Sequence, residues 1–288
     1  MNTVNLVTLR VWGDFACFTR PEMKVERVSY PVLTPSAARG ILEAVFWEPQ
    51  MYYLIDSIRV VKRGRWISIR RNEVTKVISL DSVKTWMNAP EKTTPIQSGG
   101  GAEDGTQRNM LALRDVEYLI TAEVRLTLLA QPPRDNLGKY LREIEGRARV
   151  GKCFYRPGLG MREFAADFAW EPDAEAALAR RAAELGQPAT LNEPLGLMLY
   201  DLFDHRTRAA GCRWLTPEEE ARQTAEFEQS LTELKKGEQT KRRKEYASTR
   251  LRSTTAFIKP KPLFFHATLK DSRLDCHPDR VLAQEGNN

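Results

Sequence analysis

The chain has 288 residues, 42% of them hydrophobic, so it is long enough for one large domain or two small ones with a real core. Its formal charge is +6 and its pI about 9.1, which favours an acidic partner such as nucleic acid. Residues 235–252 carry this whole surplus, because they hold eight Lys or Arg against two Glu. Elsewhere, the binding of an anion must come from clusters of basic side chains.

Several classes of site are excluded by composition. The four cysteines lie far apart without a C-x-x-C pair, which excludes a disulfide framework or a Cys-based zinc site and favours a reducing cytoplasm. Three histidines, His205, His266 and His277, leave little room for a His-based metal site, and we expect no metal or other cofactor. The first ten residues lack the pattern of a signal peptide and no apolar run reaches membrane length, so we expect a cytoplasmic protein without a membrane partner.

Residues 4–11 alternate Val or Leu with polar residues and predict a first strand. A loop with three basic residues follows: Arg20, Lys24 and Arg27. Thr34 is a helix N-cap with Pro35 at the first helical position, and the helix is expected to run to about Trp47. Its buried face is predicted to hold Ala38, Ile41, Leu42 and Val45.

Two further strands are predicted at 52–62 and 65–74, joined at a glycine. Residues 75–109 change character and predict a flexible insertion, which we expect to become ordered only on assembly with RNA and partners. Strands at 110–115 and 117–129 follow. Together with a helix starting at Asn136, this order predicts an α+β fold, a ferredoxin-like antiparallel sheet with helices on one face.

Residues 134–164 hold eight Lys or Arg against four Asp or Glu. Asn136 is a plausible N-cap, and one helix face gathers the apolar Leu137, Leu141, Ile144 and Ala148. The opposite face gathers Lys139, Arg142 and Arg149. A short apolar strand and a glycine turn, Gly158 to Gly160, are expected next, with Arg156 and Arg162 on either side. Glycines allow close backbone approach and arginines bind phosphate, so the stretch suggests a platform for a polyanion; a merely solvated basic face is the alternative.

The remaining chain predicts a strand ending at Trp170, a helix at 171–185, and a pair of strands at 195–203 and 212–215. A helix starting at residue 216 is expected to reach about residue 246, with weak patterning and disorder from about residue 253. We therefore divide the chain into a ferredoxin-like domain at 1–152, a glycine-rich loop with a small antiparallel β extension at 153–217, and a basic helical tail at 218–288.

Two long motifs resemble the type I-C members of the fifth CRISPR-associated protein family. One, at 10–47, reads R-V-W-G-D-F-A-C-F-T-R-P-E-M-K-V-E-R-V-S-Y-P-V-L-T-P-S-A-A-R-G-I-L-E-A-V-F-W. The other, at 138–164, reads G-K-Y-L-R-E-I-E-G-R-A-R-V-G-K-C-F-Y-R-P-G-L-G-M-R-E-F. Shorter matches are R-R-N-E-V at 70–74 and L-A-L-R-D-V-E-Y at 111–118, and the resemblance covers about residues 4–216.

This resemblance implies a ferredoxin-like RNA-binding fold of the RAMP type with a glycine-rich loop. It implies metal-independent cutting of precursor CRISPR RNA below the repeat hairpin, by attack of a ribose 2′-hydroxyl on the adjacent phosphate. It also implies retention of the 5′ handle and assembly with the backbone and large subunits of a surveillance complex used in antiviral defence, which meets target DNA indirectly. The chemistry requires a base, a cation for the phosphorane and an acid for the 5′-oxygen.

The sequence departs from the family at its cutting residues. The resemblance implies a Tyr at the end of the first helix and a Lys-His pair in the second, where this chain has Phe46 and Lys139-Tyr140. Lys139 can still offset phosphate charge, whereas Phe46 cannot exchange a proton. Tyr140 suits an acid or hydrogen-bonding role better than a base, and the alternative for it is a packing residue at the edge of the apolar stripe.

Lys139 and Tyr140 are therefore the candidate catalytic residues, and the general base is left unassigned. The candidate RNA-binding residues are Arg20, Lys24, Arg27, Arg39, Arg114, Arg142, Arg149, Arg156, Gly158, Gly160 and Arg162. Two functions remain open: an endoribonuclease that cuts the CRISPR repeat, and a subunit that holds the handle without cutting. A generic basic RNA-binding protein outside CRISPR systems is a third, weaker interpretation.

Overall fold

A computed structural model describes residues 5–97, 99, 101–186, 190–211, 217–232, 234–253 and 261–282. In this part of the chain the strands are β1 Leu6–Ala16, β2 Met51–Lys62, β3 Arg65–Val74, β4 Gly105–Leu126, β5 Asp167–Trp170, β6 Glu193–Asp201, β7 Leu263–Lys270 and β8 Arg273–Asp275. The helices are α1 Pro35–Val45, α2 Leu80–Asn88, α3 Leu137–Arg149, α4 Ala174–Glu184, α5 His205–Ala210, α6 Pro217–Leu231, α7 Lys236–Ser253 and α8 Pro278–Val281.

Residues 6–170 contain the predicted ferredoxin-like unit. The neighbouring strands β5, β1, β4 and β2 pair antiparallel, and α1 and α3 connect them across one face of the sheet. Helix α1 begins where the sequence predicts, because the Thr34 side chain accepts a hydrogen bond from the Ala37 amide and Pro35 follows it. Asn136 caps α3 in the same way, through the Lys139 amide.

Strand β4 corrects one prediction, since residues 110–115 and 117–126 belong to a single strand rather than two. Asp115 has a positive φ of 59°, but pairing with β1 continues on both sides of it. The first half of β4 pairs with β3 in a long hairpin. The predicted flexible insertion between them contains α2, which buries none of its residues.

Helix α4, which lies outside the ferredoxin-like unit, packs on the face of the sheet opposite α1 and α3. Its Ala177 packs against Val61 of β2 and Leu119 of β4. The apolar residues next to these two in their strands point to the other face, into the main core. Arg181 adds a bidentate ion pair with the buried Glu117. This face is therefore covered by a small apolar cluster and by buried charge pairs.

The C-terminal region also differs from prediction. The partner of β6 is β7, whereas the predicted partner, 212–215, lies outside the described residues. Strand β8 pairs with β2, so residues 263–275 extend the main sheet, where disorder was predicted. The single helix predicted from residue 216 is two helices, α6 and α7. Within the described part of the chain, no helix is long and apolar enough to cross a membrane.

Candidate nucleic-acid interface

The glycine-rich loop that follows α3 is fixed against the end of β1. Leu159 is fully buried, and its carbonyl accepts a hydrogen bond from the Cys17 amide at 3.0 Å. Gly160 has φ +84°, and a Cβ placed on it would lie 2.2 Å from the Cys17 carbonyl oxygen. Glycine is therefore required at this position because the loop packs on the protein's own backbone. The sequence alone does not indicate this requirement.

A groove of about 780 Å³ opens between this loop, the start of α1 and the residues after β1. Its residues are Phe18, Thr19, Thr34, Ser36, Ala37, Gly40, Tyr155, Arg156, Gly158, Gly160, Met161, Arg162 and Leu199. The α1 side is lined by small residues, and the loop side carries two exposed guanidinium groups. A concave site with convergent cations suits a ligand that carries phosphate.

Four predicted RNA-binding residues therefore meet in this groove: Arg156, Gly158, Gly160 and Arg162. Arg20 adjoins it, because it follows Thr19 and packs over the Tyr30 ring at 4.8 Å. The basic loop that continues to Lys24 and Arg27 is pinned on β4, where the Leu111 amide donates to the Arg27 carbonyl.

The other predicted cations lie farther along the surface. Arg114 is exposed on β4 and lies opposite Phe15 of β1. The ring of Phe15 is 5.7 Å from the ring of Phe164, which ends the glycine-rich loop. Arg142 and Arg149 are exposed on the outer side of α3, and Arg149 pairs with Glu145.

Arg39 is a structural residue, which corrects its assignment to RNA. Its side chain is only 12% exposed and forms two hydrogen bonds with the Asp201 carboxylate, at 2.7 and 2.9 Å. A third reaches Glu43 at 2.7 Å. Burial lowers the pKa of the Arg39 guanidinium, but the charges of Glu43 and Asp201 outweigh this effect and raise the pKa. The group is fully engaged in joining α1 to β6.

Lys139 and Tyr140 belong to a cluster at the start of α3. Lys139 Nζ is 3.4 Å from Asp135 Oδ1 and 3.5 Å from Glu48 Oε2, and its side chain is partly exposed. Tyr140 is fully buried, and its hydroxyl donates to Asp135 Oδ1 at 2.8 Å. Burial raises the pKa of Tyr140, and the hydrogen bond to Asp135 raises it further. This placement favours the packing alternative for Tyr140 over a proton donor.

An aromatic surface connects this cluster with the groove and was missed in the sequence. Phe154 is 53% exposed, stacks on Phe46 at 5.9 Å and has the Arg147 guanidinium 4.4 Å above its ring. Tyr155, 62% exposed, lines the groove. Their amides both donate to the Ala44 carbonyl at the end of α1. We refer to Arg147, Phe154 and Tyr155 as the aromatic platform.

The sequence contained a signal for the platform, since two aromatics stand between basic residues in K-C-F-Y-R. The apolar pattern after α3 predicts a short strand, but residues 150–157, all described, form turns and irregular structure. Exposed aromatics among cations are typical of surfaces that stack single-stranded bases.

Two of the described histidines form ionic contacts, and none of these contacts involves Lys139. His205 contacts Asp204, and His277 contacts Glu123 and Asp279. Among the described residues, no group of three or more His, Cys, Asp or Glu side chains is arranged to hold a metal ion.

A family model described as CRISPR-associated protein (Cas_Cas5), of the Cas5d type, matches residues 6–238. The CRISPR pre-crRNA endoribonuclease Cas5d of Mannheimia succiniciproducens is 42% identical over 205 residues, which are 70% of this chain and 87% of that protein. The Thermus thermophilus protein of the same name is 41% identical over 195 residues, 67% of this chain and 72% of that protein.

Two solved structures are similar in fold: a CRISPR-associated protein and a functionally uncharacterized protein from Streptococcus mutans. Each is 16% identical with a TM-score of 0.50; the alignments cover 94% and 96% of this chain and 90% and 94% of theirs. At this identity the two structures bear on the fold alone. The family match and the two sequence relatives span most of the chain, and the chain therefore belongs to the Cas5d family of CRISPR-associated proteins.

Proposed function

We propose that this protein binds the repeat of a precursor CRISPR RNA, cuts it, and keeps the 5′ handle as a subunit of the type I-C surveillance complex. The observation that carries the proposal is the identity of 42% and 41% to two proteins named as CRISPR pre-crRNA endoribonucleases, over 87% and 72% of their lengths. The partners are the repeat hairpin and handle, the backbone and large subunits, and, through the complex, target DNA.

The surface of the protein supports RNA as the ligand. Arg156 and Arg162 offer guanidinium groups to phosphates at the groove, and Arg20 continues the basic rim. The aromatic platform offers rings on which unpaired bases can stack, and stacking does not depend on base identity. Of the predicted RNA contacts, we retain Arg20, Lys24, Arg27, Arg114, Arg142, Arg149, Arg156, Gly158, Gly160 and Arg162 as proposals, without Arg39.

The proposed cutting is a metal-independent transesterification at the α3 cluster. Lys139 is the cation that offsets the charge developing on the phosphorane, since its side chain is partly exposed. Tyr140 is a positioning residue, because its hydroxyl is engaged with Asp135 in the core.

A specific observation favours a second candidate, a subunit that holds the handle without cutting. Phe46 is buried, stacks on Phe154 and is tilted against Tyr140, and it replaces the Tyr that the family resemblance implies at this position. A ring without a hydroxyl can pack and stack but cannot move a proton. This candidate keeps the groove and the platform and lacks only the chemistry.

Incubation of the purified protein with its own repeat RNA in EDTA tests the proposal. We expect one cut below the hairpin, with a 2′,3′-cyclic phosphate on one product and a 5′-hydroxyl on the other. The same RNA with a 2′-deoxy nucleotide at the cut should bind and stay whole. RNA that is bound but intact after long incubation, with EDTA or with Mg²⁺, would establish the non-cutting subunit. Cutting only with Mg²⁺ would refute the metal-independent mechanism.

A further inference from the structure

The α3 cluster contains two carboxylates, and attack by a 2′-hydroxyl requires a group that accepts its proton. The side chains at Lys139 are Asp135, Glu48 and the ring of Tyr140. An ammonium group cannot accept a proton, and the Tyr140 hydroxyl already donates to Asp135. Among these side chains, only the two carboxylates can accept the proton.

Asp135 is unavailable as an acceptor. Its side chain is 5% exposed, and each of its oxygens is already bonded. Oδ2 accepts from the Gln131 amide at 3.0 Å, and Oδ1 accepts from Tyr140 at 2.8 Å. The Gln131 bond, followed by the Tyr140 bond, lowers the pKa of Asp135, which makes this carboxylate a weaker base. Asp135 fixes the position of Lys139 and Tyr140.

Glu48 has the accessibility that Asp135 lacks. It lies just beyond α1, its side chain is 38% exposed, and Oε2 is 3.5 Å from Lys139 Nζ. Its backbone is fixed, because the Met51 amide donates to the Glu48 carbonyl at 3.0 Å. Phe46, two residues earlier, is held by Tyr53, whose hydroxyl donates to the Phe46 carbonyl at 2.9 Å. The ring of Phe46 stacks on Phe154 of the platform and lies 6.3 Å from the ring of Tyr140. Lys139 Nζ lies 4.7 Å from the centre of the Tyr140 ring, so ring contacts join the platform to the Glu48–Lys139 pair.

We propose that Glu48 is the general base of the RNA cleavage, acting beside Lys139; the proposal rests on the nuclease function proposed above. The Glu48 carboxylate takes the proton of the 2′-hydroxyl as the 2′-oxygen forms a bond to the adjacent phosphorus. Lys139 offsets the negative charge on the phosphorane oxygens. The bond from phosphorus to the 5′-oxygen breaks, that oxygen takes a proton from solvent water, and Glu48 returns its proton to solvent. The products are a 2′,3′-cyclic phosphate and a 5′-hydroxyl, without any net co-reactant.

Glu48→Gln keeps the size of the side chain and an oxygen that can accept from Lys139, but it removes the basic carboxylate. With saturating protein and repeat RNA in EDTA, we expect the single-turnover rate to fall on the order of 10²- to 10⁴-fold. The Kd for RNA should stay within about twofold and the melting temperature close to that of wild type, because the position is partly exposed. Glu48→Asp should recover part of the rate, since the carboxylate is restored at a shorter reach.

Glu184→Gln is the matched control. Glu184 is half-exposed and ion-paired with Arg181, but it lies on α4 across the sheet, so its variant should cut at the wild-type rate. Wild-type cutting by Glu48→Gln, or an equal loss in Glu48→Gln and Glu48→Asp, would overturn the assignment of the base while leaving the nuclease intact. A fall in RNA affinity that accounts for the loss of rate would overturn it as well. If the wild-type protein leaves the RNA intact, the proposed nuclease function is wrong, and the assignment of Glu48 as general base is wrong with it.

Discussion

Phe154 provides the sharpest test of the aromatic platform. About half of the residue is buried and its ring contacts Phe46 and Arg147, so Phe154→Ala removes both a stacking surface and part of the packing. A Phe side chain presents on the order of 200 Å². Burial of half of this area, at about 25 cal/mol per Å², gives an upper bound of about 2.5 kcal/mol for the loss of stability. Loss of one stacked base costs about 1–3 kcal/mol of binding, which is about 5- to 150-fold in Kd.

Phe154→Leu separates the two effects, because leucine retains most of the apolar contact but has no π face. We expect Phe154→Leu to melt near the wild-type temperature and still bind repeat RNA at least about fivefold more weakly, measured by fluorescence anisotropy at fixed salt. Its slope of log K against log salt should equal that of wild type, since no charge is removed. Arg156→Gln, by comparison, should lower the slope by about one. Wild-type affinity in Phe154→Leu would refute the platform.

Three further predictions concern other parts of the molecule. Lys139→Ala should cut on the order of 10²-fold more slowly with RNA binding retained, as for the loss of one oxyanion donor, whereas an unchanged single-turnover rate would place the phosphorane elsewhere. Neutralising the exposed Lys241, Arg242 and Lys244 of α7 to Gln should flatten the salt dependence of RNA binding; an unaltered slope means that α7 stays away from RNA. Limited trypsin digestion of the free protein should cut first within 75–109, whose α2 buries no residue, and RNA with partner subunits should protect it; equal digestion in both states contradicts ordering on assembly.

The ferredoxin-like unit was predictable because its signals are local. The Thr34 and Asn136 caps lie beside the helices that they start, and the apolar stripe of α3 repeats within one helix. The C-terminal strands were missed because their partners are remote, for β8 pairs with β2 from more than two hundred residues away. The alternation of buried residues in β7 was present in the sequence, and β7 forms a hairpin with β8 across Asp271 and Ser272. The edge that this hairpin joins is remote in the chain, so no local pattern indicated it.

The candidate site was predictable only in part, for the same reason. Helical spacing placed Lys139 on the polar side of α3, but the residue that holds Tyr140 precedes the helix and does not follow its periodicity. Arg39 was assigned to RNA because the partner with which it forms two hydrogen bonds, Asp201, is 162 residues away. A basic residue in a sequence is therefore only a candidate RNA contact until the fold shows whether it pairs with a carboxylate.

The glycine turn allows a last prediction that separates backbone conformation from packing. Gly160 and Gly151 both have positive φ, at 84° and 69°, so alanine at either position costs about 1–2 kcal/mol in backbone strain. At Gly151 the added Cβ meets no atom within 4 Å, whereas at Gly160 it would lie 2.2 Å from the Cys17 carbonyl oxygen. Because that carbonyl is backbone at the end of β1, the contact can be relieved only if the loop moves away from the strand.

We therefore expect Gly160→Ala to be destabilised by more than Gly151→Ala, by at least about 2 kcal/mol in the free energy of unfolding from urea titration. The displaced loop carries Arg156 and Arg162, so its RNA affinity should fall at temperatures where the variant is still folded, while Gly151→Ala should bind like wild type. Equal stability of the two variants would mean that the loop does not pack on β1 as described. A destabilised Gly160→Ala with wild-type affinity would mean that the groove does not bind RNA, because displacement of the loop that carries Arg156 and Arg162 would then not affect the ligand.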